Sequence, residues 1–337
     1  MAVLALNDLR DLIKAALISA GTAPSHAAIV ADALTRAEAD GLSSHGASRV
    51  PAYAEQVKTG KINGHVVPDV SKPKPGLVRV DAGTGFAFPA IQAGLEAGVA
   101  AAAKTGIALV AVANSHHFGV AGHHVEDIAE HGLIGLCFGN SPAAIAPWGG
   151  GKPLFGTNPI AFACPRTDAS PLVIDLSLSK VARGKVKLAA DQGEPIPEGI
   201  AVDANGNPTT DAKAAMAGAM LPMGDAKGAA LVLMVELLAA ALTASHFGYE
   251  APSVFDADGP PPRLGQCLMM VDPGPPSLGG FANRVETLMT AITDQPGARL
   301  PGDRRLTLRQ EAETSGLRVP DALLVDLRAR VDDGANT

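Results

Sequence analysis

Apolar positions three and four apart open the chain. Leu9, Leu12, Ile13, Ala16 and Leu17 share one face of a helix predicted over 7–21, which Gly21 stops. A second helix, with Ser25 as its expected cap, runs to about Asp40 and turns Ile29, Val30, Ala33 and Leu34 inward. The pattern then changes: residues 59–80 are polar and Pro-rich and hold one short strand, 76–80. An Ala-rich helix, 90–104, precedes an apolar run at 107–112, and a second run follows at 133–138, each short enough for a buried strand. Residues 160–165 and 172–176 read as a hairpin-like strand pair. After a turn-rich excursion at 199–211, the most apolar helix of the chain opens near Met223. A strand at 268–271, a helix at 281–292, a basic loop at 299–305 and an amphipathic helix at 320–331 complete the pattern. Helix–strand alternation in the middle and helices at both ends predict an α/β protein with interleaved domains.

The loops that close the two runs carry the candidate chemistry. The first run ends in Asn114-Ser115-His116-His117-Phe118-Gly119, and the second in Gly139-Asn140-Ser141-Pro142. Polar, glycine-bearing loops at the ends of strands are the usual address of a ligand site in an α/β protein. The helix expected to open at Gly119 and Gly122 offers unpaired N–H groups that suit a phosphate, and His117 in the same loop can exchange a proton near neutral pH. An anion cradle beside a proton donor points to redox chemistry with a nucleotide cofactor. Upstream, Ser44 and His45 precede Arg49 and Tyr53, four apart and hence on one helical face. Arginine grips a carboxylate bidentately, and the Tyr53 hydroxyl could serve the same anion; the competing reading is a helix cap followed by a surface Arg. Arg183 and Lys185 sit in a cationic segment after Asp175-Leu176-Ser177, and Lys227 lies near a helix N-terminus, where a nearby anion would offset its charge.

Composition narrows the partners. With 337 residues, 47% hydrophobic and 18% charged, the chain can bury one large core or two smaller ones. A net charge of -7 and only 4% aromatics argue against a nucleic-acid binder. Cys137, Cys164 and Cys267 all lie in apolar runs and read as reduced core residues of a cytoplasmic protein. The acidic, amphipathic N-terminal stretch does not read as a signal peptide, and the apolar helix, interrupted by Glu236, is short for a membrane span.

Several motifs fail on inspection. Gly83-Thr84-Gly85-Phe86 lacks the third glycine of a Rossmann fingerprint, because position 88 is Phe. Gly149-Gly150-Gly151-Lys152-Pro153 lacks the Ser/Thr and first glycine of a P-loop, and no G-x-S-x-G elbow supports a hydrolase. His116, His123 and His124 crowd together, with Glu126 and Asp127 near, but in no familiar zinc spacing; no metal is expected.

The residues Ser44-His45-Gly46 with Arg49, Asn114 to Gly119, and Leu154-Phe155-Gly156-Thr157-Asn158-Pro159 resemble the type-2 malate/L-lactate dehydrogenase family. So do Ala182-Arg183-Gly184-Lys185, Gly193 to Gly199, Asp203 to Asp211 and Pro301-Gly302-Asp303-Arg304-Arg305, so the resemblance covers nearly the whole chain. It implies a non-Rossmann α/β protein with a mixed or antiparallel sheet, plus a helical domain built from both termini. The expected division is 1–74 with 283–337 as the helical domain and 75–282 as the α/β cofactor- and substrate-binding domain. It also implies an NAD(P) cofactor, a small carboxylate substrate and a homodimer, with no nucleic-acid or membrane partner; the cations at Arg183, Lys185 and 299–305 favour NADP, with NAD as the alternative.

By resemblance, His45 and His117 become candidate proton-transfer groups and Ser44 a relay partner, with a slight preference for His117. Arg49, Tyr53, Thr157 and Lys185 would meet substrate. His117, Phe118, Gly119, Val120, Ala121, Asn140, Asp175, Leu176, Ser177, Lys227, Arg299, Arg304 and Arg305 would line the cofactor. The expected reaction is reduction of a 2-oxo acid to a 2-hydroxy acid, of malate, lactate or sulfolactate dehydrogenase type. The alternative is reduction of piperideine-2-carboxylate or pyrroline-2-carboxylate. Lys185, where the imine reductases of the family carry Asp, favours the hydroxy-acid reading. Asp225-Ala226-Lys227 departs from the family's commoner Gly-His-Lys or Gly-Tyr-Lys.

Overall fold

A computed structural model describes residues 1–335. A short strand β1 (Ala2–Leu4) leads into α1 (Leu6–Ser19), α2 (Pro24–Ala39), two single turns of 3-10 helix over 43–49, and α3 (Val50–Lys58). Then come β2 (Asp69–Lys74), β3 (Leu77–Asp81), α4 (Ala87–Thr105), β4 (Ile107–Ser115), α5 (Ala121–Glu130) and β5 (Ile134–Gly139). The pair β6 (Ile160–Cys164) and β7 (Leu172–Leu176) is followed by α6 (Arg183–Gln192), β8 (Ala201–Val202), α7 (Ala212–Ala217) and β9 (Ala219–Met220). The apolar helix α8 (Asp225–Glu236) continues into a π turn, Leu237–Ala241. Last are β10 (Leu264–Val271), α9 (Phe281–Thr293), α10 (Asp303–Ser315), β11 (Leu317–Val319) and α11 (Asp321–Ala335).

Seven strands form one mixed sheet in the order β2-β3-β4-β10-β5-β6-β7. Only β3 and β4 run parallel, joined by the crossover helix α4; every other neighbour is antiparallel. The central strand β10 comes from late in the chain and inserts between β4 and β5, pairing Met269 with Leu109 on one side and Leu136 on the other. Helix α4 lies close on this sheet because Gly98 leaves room: a Cβ there would meet Val110 at 2.7 Å.

The helical layer has its own core. Leu9, Ile13, Leu17, Leu34 and Tyr53 pack with Leu317, Leu324 and Leu327 from the other end of the chain, and β1 pairs antiparallel with β11. The amphipathic face expected of the first helix is therefore buried against residues that lie some three hundred positions away.

Local differences from the sequence reading have simple causes. Pro24 occupies the first turn of α2, where its missing N–H is harmless, so Ser25 lies inside the helix and caps nothing. The edge strand β2 is exposed at every position and carries no apolar alternation that periodicity could detect. The basic loop ends at Gly302, and Arg304 and Arg305 belong to the first turn of α10.

One buried ion cluster joins the two layers. Asp40, at the end of α2, and Glu126, on α5, are almost wholly buried and share Arg305 and Arg309, while Arg36 pairs with Glu126. Arg309 donates to Asp40 at 2.8 Å and to Glu126 at 3.0 Å, and His123 Nε2 lies 2.8 Å from Asp40. Burial would raise both carboxyls, but the bonds from His123 and Arg309 to Asp40, and from Arg309, Arg36 and Arg305 to Glu126, outweigh it and hold each at about 2. Removing one partner leaves charges buried without compensation, so Asp40→Ala should cost about 3–5 kcal/mol in a urea unfolding experiment. Both folded-state values are depressed, so this stabilisation is complete above the unfolded values of roughly 4 and is lost as pH falls from there towards 2. An Asp40→Ala protein with wild-type stability at pH 7 would show that the cluster does not join the layers.

Candidate active site

The turns before α3 place three candidates side by side. Ser44 and His45 occupy one 3-10 turn, and Arg49 closes the next as the cap of α3. Arg49 is only 8% exposed, although its sequence setting allowed a surface residue. Its Nε donates to the Ser44 carbonyl at 2.6 Å, its Cζ lies 4.6 Å from the centre of the Phe255 ring, and its Nη1 is buried without a partner. No carboxylate pairs with it among the described residues. A buried guanidinium in this state calls for an anion.

Two histidines face this cation. The rings of His45 and His117 stack with centroids 5.5 Å apart. His45 Nδ1 lies 3.0 Å from Ser44 Oγ, and the exposed Ser44 side chain reaches solvent. His117 Nδ1 lies 2.6 Å from the hydroxyl of Tyr53, which is fully buried. Burial pushes the Tyr53 phenol well above its usual value, so it keeps its proton and donates to His117, whose ring proton then sits on Nε2. The structure thus gives the Tyr53 hydroxyl to His117, not to the anion expected at Arg49. Desolvation first, and then the charge of Arg49, lowers His45 to about 4 and His117 well below the imidazole range. Both rings are neutral at pH 7 while no anion sits beside Arg49.

The other candidates line a strip that continues from this centre. Gly119 has φ +72, and a Cβ there would meet the Phe88 ring at 2.7 Å, so the His117–Ala121 bend requires glycine. Phe118, Val120 and Ala121 are buried, and the Phe118 carbonyl lies 2.8 Å from His124 Nε2. The first turn of α5 is less open than the sequence suggests, because the carboxylate of Asp175 accepts from Gly122 N at 2.8 Å. Burial raises the Asp175 carboxyl, against the pull of that N–H and of Arg305. Leu176 is exposed, and the Ser177 and Ser179 hydroxyls lie 2.9 Å apart. The loop before α10 comes up against β7, with Gly302 near the Val173 carbonyl. Beside it Arg299, Arg304 and Arg305 line a recess of about 370 Å³. Arg305 is committed to Glu126 at 2.7 Å, whereas Arg299 and Arg304 are exposed.

On the other flank, a Cβ on Gly184 would stand 4.0 Å from that of Ser44, which brings the start of α6, with Arg183 and exposed Lys185, to the histidine pair. Arg183 donates to the Ala143 carbonyl at 2.8 Å. Thr157 N donates to Ser141 Oγ at 3.1 Å, with the two hydroxyls 3.4 Å apart. Lys227 is exposed in the first turn of α8, and neighbouring Asp225 is held by Lys180 at 2.7 Å.

Sequence reasoning missed what supports Thr157. Glu236, 2% exposed, accepts from Asn158 Nδ2 at 2.6 Å, from Gly248 N at 2.6 Å and from Asn140 Nδ2 at 3.4 Å. Asn140, expected to line the cofactor, is wholly buried and spends its amide on Glu236, His246 and Gly265. A lone carboxylate inside the most apolar helix was the available signal, since a buried charge must find donors. The histidine-rich stretch resolves differently from a metal site: His123 is bound to Asp40 and His124 to a main-chain carbonyl.

Residues 4–328 match the family model described as malate/L-lactate dehydrogenase. The chain belongs to the malate/L-lactate dehydrogenase family. It is 50% identical over 327 residues, 97% of each chain, to a (2R)-3-sulfolactate dehydrogenase (NADP(+)) from Chromohalobacter salexigens. It is 43% identical to a Δ1-pyrroline-2-carboxylate/Δ1-piperideine-2-carboxylate reductase from Pseudomonas putida, covering 96% of this chain and 95% of the other. The crystal structure of Δ1-piperideine-2-carboxylate reductase from Pseudomonas syringae superposes with a TM-score of 0.93 at 38% identity, covering 98% of this chain and all of that one. The expected mixed sheet and non-Rossmann fold are those of this dehydrogenase family.

Within this family member, the two hydroxyls that meet histidines should behave differently. Tyr53→Phe leaves a buried nitrogen unpartnered and should lower stability by about 1–3 kcal/mol in urea. Ser44→Ala, at an exposed side chain, should leave stability unchanged and act on turnover alone. Equal stability losses in the two variants would contradict this division.

Proposed function

We propose that this oxidoreductase uses NADPH to reduce a small 2-oxo acid to its 2-hydroxy acid, and runs the reverse reaction with NADP⁺. The observation that carries this reading is Arg49, buried, unpaired and adjacent to His45. A substrate carboxylate supplies the missing anion, and the planar guanidinium fork orients the neighbouring carbon. Thr157 and Ser141 offer hydroxyls to the same substrate. Lys185, beside Ser44 through Gly184, adds a second cation that suits a substrate with a second anionic group, such as a sulfonate. Reduction of a cyclic 2-imino acid is the second reading. The Pseudomonas relatives support it by their names, and it uses the same carboxylate grip.

The residues present fit the cofactor. Exposed Arg299 and Arg304 in the recess beside α10, and Lys227 at the start of α8, are free cations for its phosphates. The bend from His117 to Ala121 and the strand end Asp175–Ser177 complete the lining. NADPH, when bound, supplies the hydride.

The proton is assigned to His45. Its Nδ1 exchanges with the solvent-reaching Ser44 hydroxyl, which leaves Nε2 to deliver a proton to the substrate oxygen or nitrogen. His117, whose Nδ1 is taken by the buried Tyr53 hydroxyl rather than by an exposed one, serves as a neutral wall. Desolvation first, and then the charge of Arg49, depresses His45. A carboxylate that neutralises Arg49 removes the second of these and so favours the protonated histidine as substrate binds. Because the acid form is required for reduction and the base form for oxidation, kcat/KM for reduction should fall as pH rises, and that for oxidation should rise.

The family's homodimer is retained as a proposal. Leu231, Leu233, Met234, Leu237 and Leu242 expose an apolar face along α8 and its π turn, which a second copy would cover. Three buried free cysteines favour a reducing, cytoplasmic setting. Among the described residues no helix is long and apolar enough to cross a membrane.

Steady-state assays decide the substrate: oxidation of (2R)-3-sulfolactate with NADP⁺, and reduction of pyruvate and of the two cyclic imines with NADPH, each repeated with the NAD form. Activity with the hydroxy acid should exceed that with the imines, and the opposite order would install the second reading. Arg49→Lys keeps the charge but loses the fork, so it should cost about 10–10³-fold in kcat/KM with NADPH affinity retained. Wild-type kinetics in that variant would remove Arg49 from substrate binding.

A further inference from the structure

The segment between the π turn and β10 is held by an unusual fastening. Lys61, 2% exposed, donates its three ammonium protons to the main-chain carbonyls of Ser253, Asp256 and Asp258, each at 2.8 Å. Gln56 Nε2 donates to the Val254 carbonyl at 3.0 Å, and Thr59 Oγ1 to that of Ala257 at 2.9 Å. All five bonds come from α3 or the turn after it, and all end on backbone oxygens. They therefore hold the course of residues 253–258 relative to α3, the helix that Arg49 caps.

What this strap presents is Phe255. Its ring is 56% exposed and belongs to no buried cluster, so it adds little to the core. Yet it lies on the guanidinium of Arg49, with 4.6 Å from Cζ to the ring centre. The bond from Nε to the Ser44 carbonyl sets the direction of the guanidinium within its plane. An aromatic face is the contact that sets the tilt of that plane, because the cation is attracted to the ring and the two flat groups stack.

We propose that Phe255 is a positioning residue for the reaction. Carried on a strap that Lys61 fastens to α3, it holds the Arg49 plane in register with the substrate carboxylate and keeps water off one face. This rests on Arg49 being the carboxylate's partner. It accounts for a large apolar ring left open to solvent beside a buried cation, and for a lysine whose three protons all go to one short segment.

The test compares Phe255→Ala, Phe255→Leu and Phe255→Tyr in the whole chain, with NADP⁺ for the oxidation of (2R)-3-sulfolactate and NADPH for the reduction of Δ1-piperideine-2-carboxylate. Phe255→Ala should raise KM about 3–30-fold for whichever of (2R)-3-sulfolactate and Δ1-piperideine-2-carboxylate the wild type turns over, with a smaller change in kcat. NADPH affinity and melting temperature should stay near wild type, since the ring is outside the core. Phe255→Tyr should restore KM, and Phe255→Leu, apolar but without a π face, should not. Equal rescue by Leu and Tyr, or an unchanged KM in Phe255→Ala, overturns the proposal. A second readout needs no turnover: the Arg49 Nε–H resonance, identified by its loss in Arg49→Lys, should exchange with solvent faster in Phe255→Ala. Unchanged exchange overturns the positioning role. A wild type inactive on both substrates would instead defeat the proposed function, and the exchange measurement would still decide the role of Phe255.

Discussion

The cluster in which Asp40 and Glu126 share Arg305 and Arg309, with Arg36 on Glu126, is the constraint on which the arrangement of layers depends. The helical layer and the sheet layer each have a separate apolar core, and hydrophobic burial is non-directional, so apolar contact alone leaves their relative placement loosely set. The buried ion pairs have directions and partners. They tie α2 and α10 to α5 at three guanidinium forks, and a shift of one helical step would strand at least one charge. The site lies along the same seam. His45 and Arg49 come from the helical side and His117 from the end of β4, so the distance between the two histidines is set by how the layers seat.

Electrostatics within the site follow from burial without compensation. Arg49 has no acidic partner, His45 and His117 are depressed by desolvation and by that cation, and Tyr53 retains its proton. An anion beside Arg49 would offset the cation's share of the depression of both histidines, while Tyr53 keeps its proton throughout. In the proposed reaction, substrate binding and protonation would be one coupled event, with the strap carrying Phe255 set against the group that starts it. Glu236 plays the comparable part on the far side, where three amide donors replace a cation and hold the loops bearing Ser141 and Thr157.

Local chemistry was largely legible in the chain. The 3.6-residue spacing of Leu9, Ile13 and Leu17 foretold the buried face of α1, and the apolar runs at 107–112 and 133–138 foretold β4 and β5. The failure of Gly83-Thr84-Gly85 to continue as a fingerprint correctly removed the Rossmann fold. Residue types and their order also sufficed for the family, whose fold the structure reproduces. These properties depend on neighbours within a turn or a strand, which is the range over which periodicity and turn chemistry carry information.

Which distant groups meet was decided by the tertiary structure alone. Nothing near Tyr53 announces that its hydroxyl belongs to His117, because 63 residues separate them along the chain and only the docking of α3 against the end of β4 joins them. Arg305 read as a free cation and became a partner of Glu126, and the open helix terminus at Gly122 was taken by Asp175. Nothing in their neighbours along the chain announced that Phe255 lies on Arg49 or that Lys61 ends on the carbonyls of Ser253, Asp256 and Asp258. Charges and hydroxyls have chemistry in the sequence but partners only in the fold, since hydrogen bonds and ion pairs act over a few ångströms of space and are indifferent to separation along the chain.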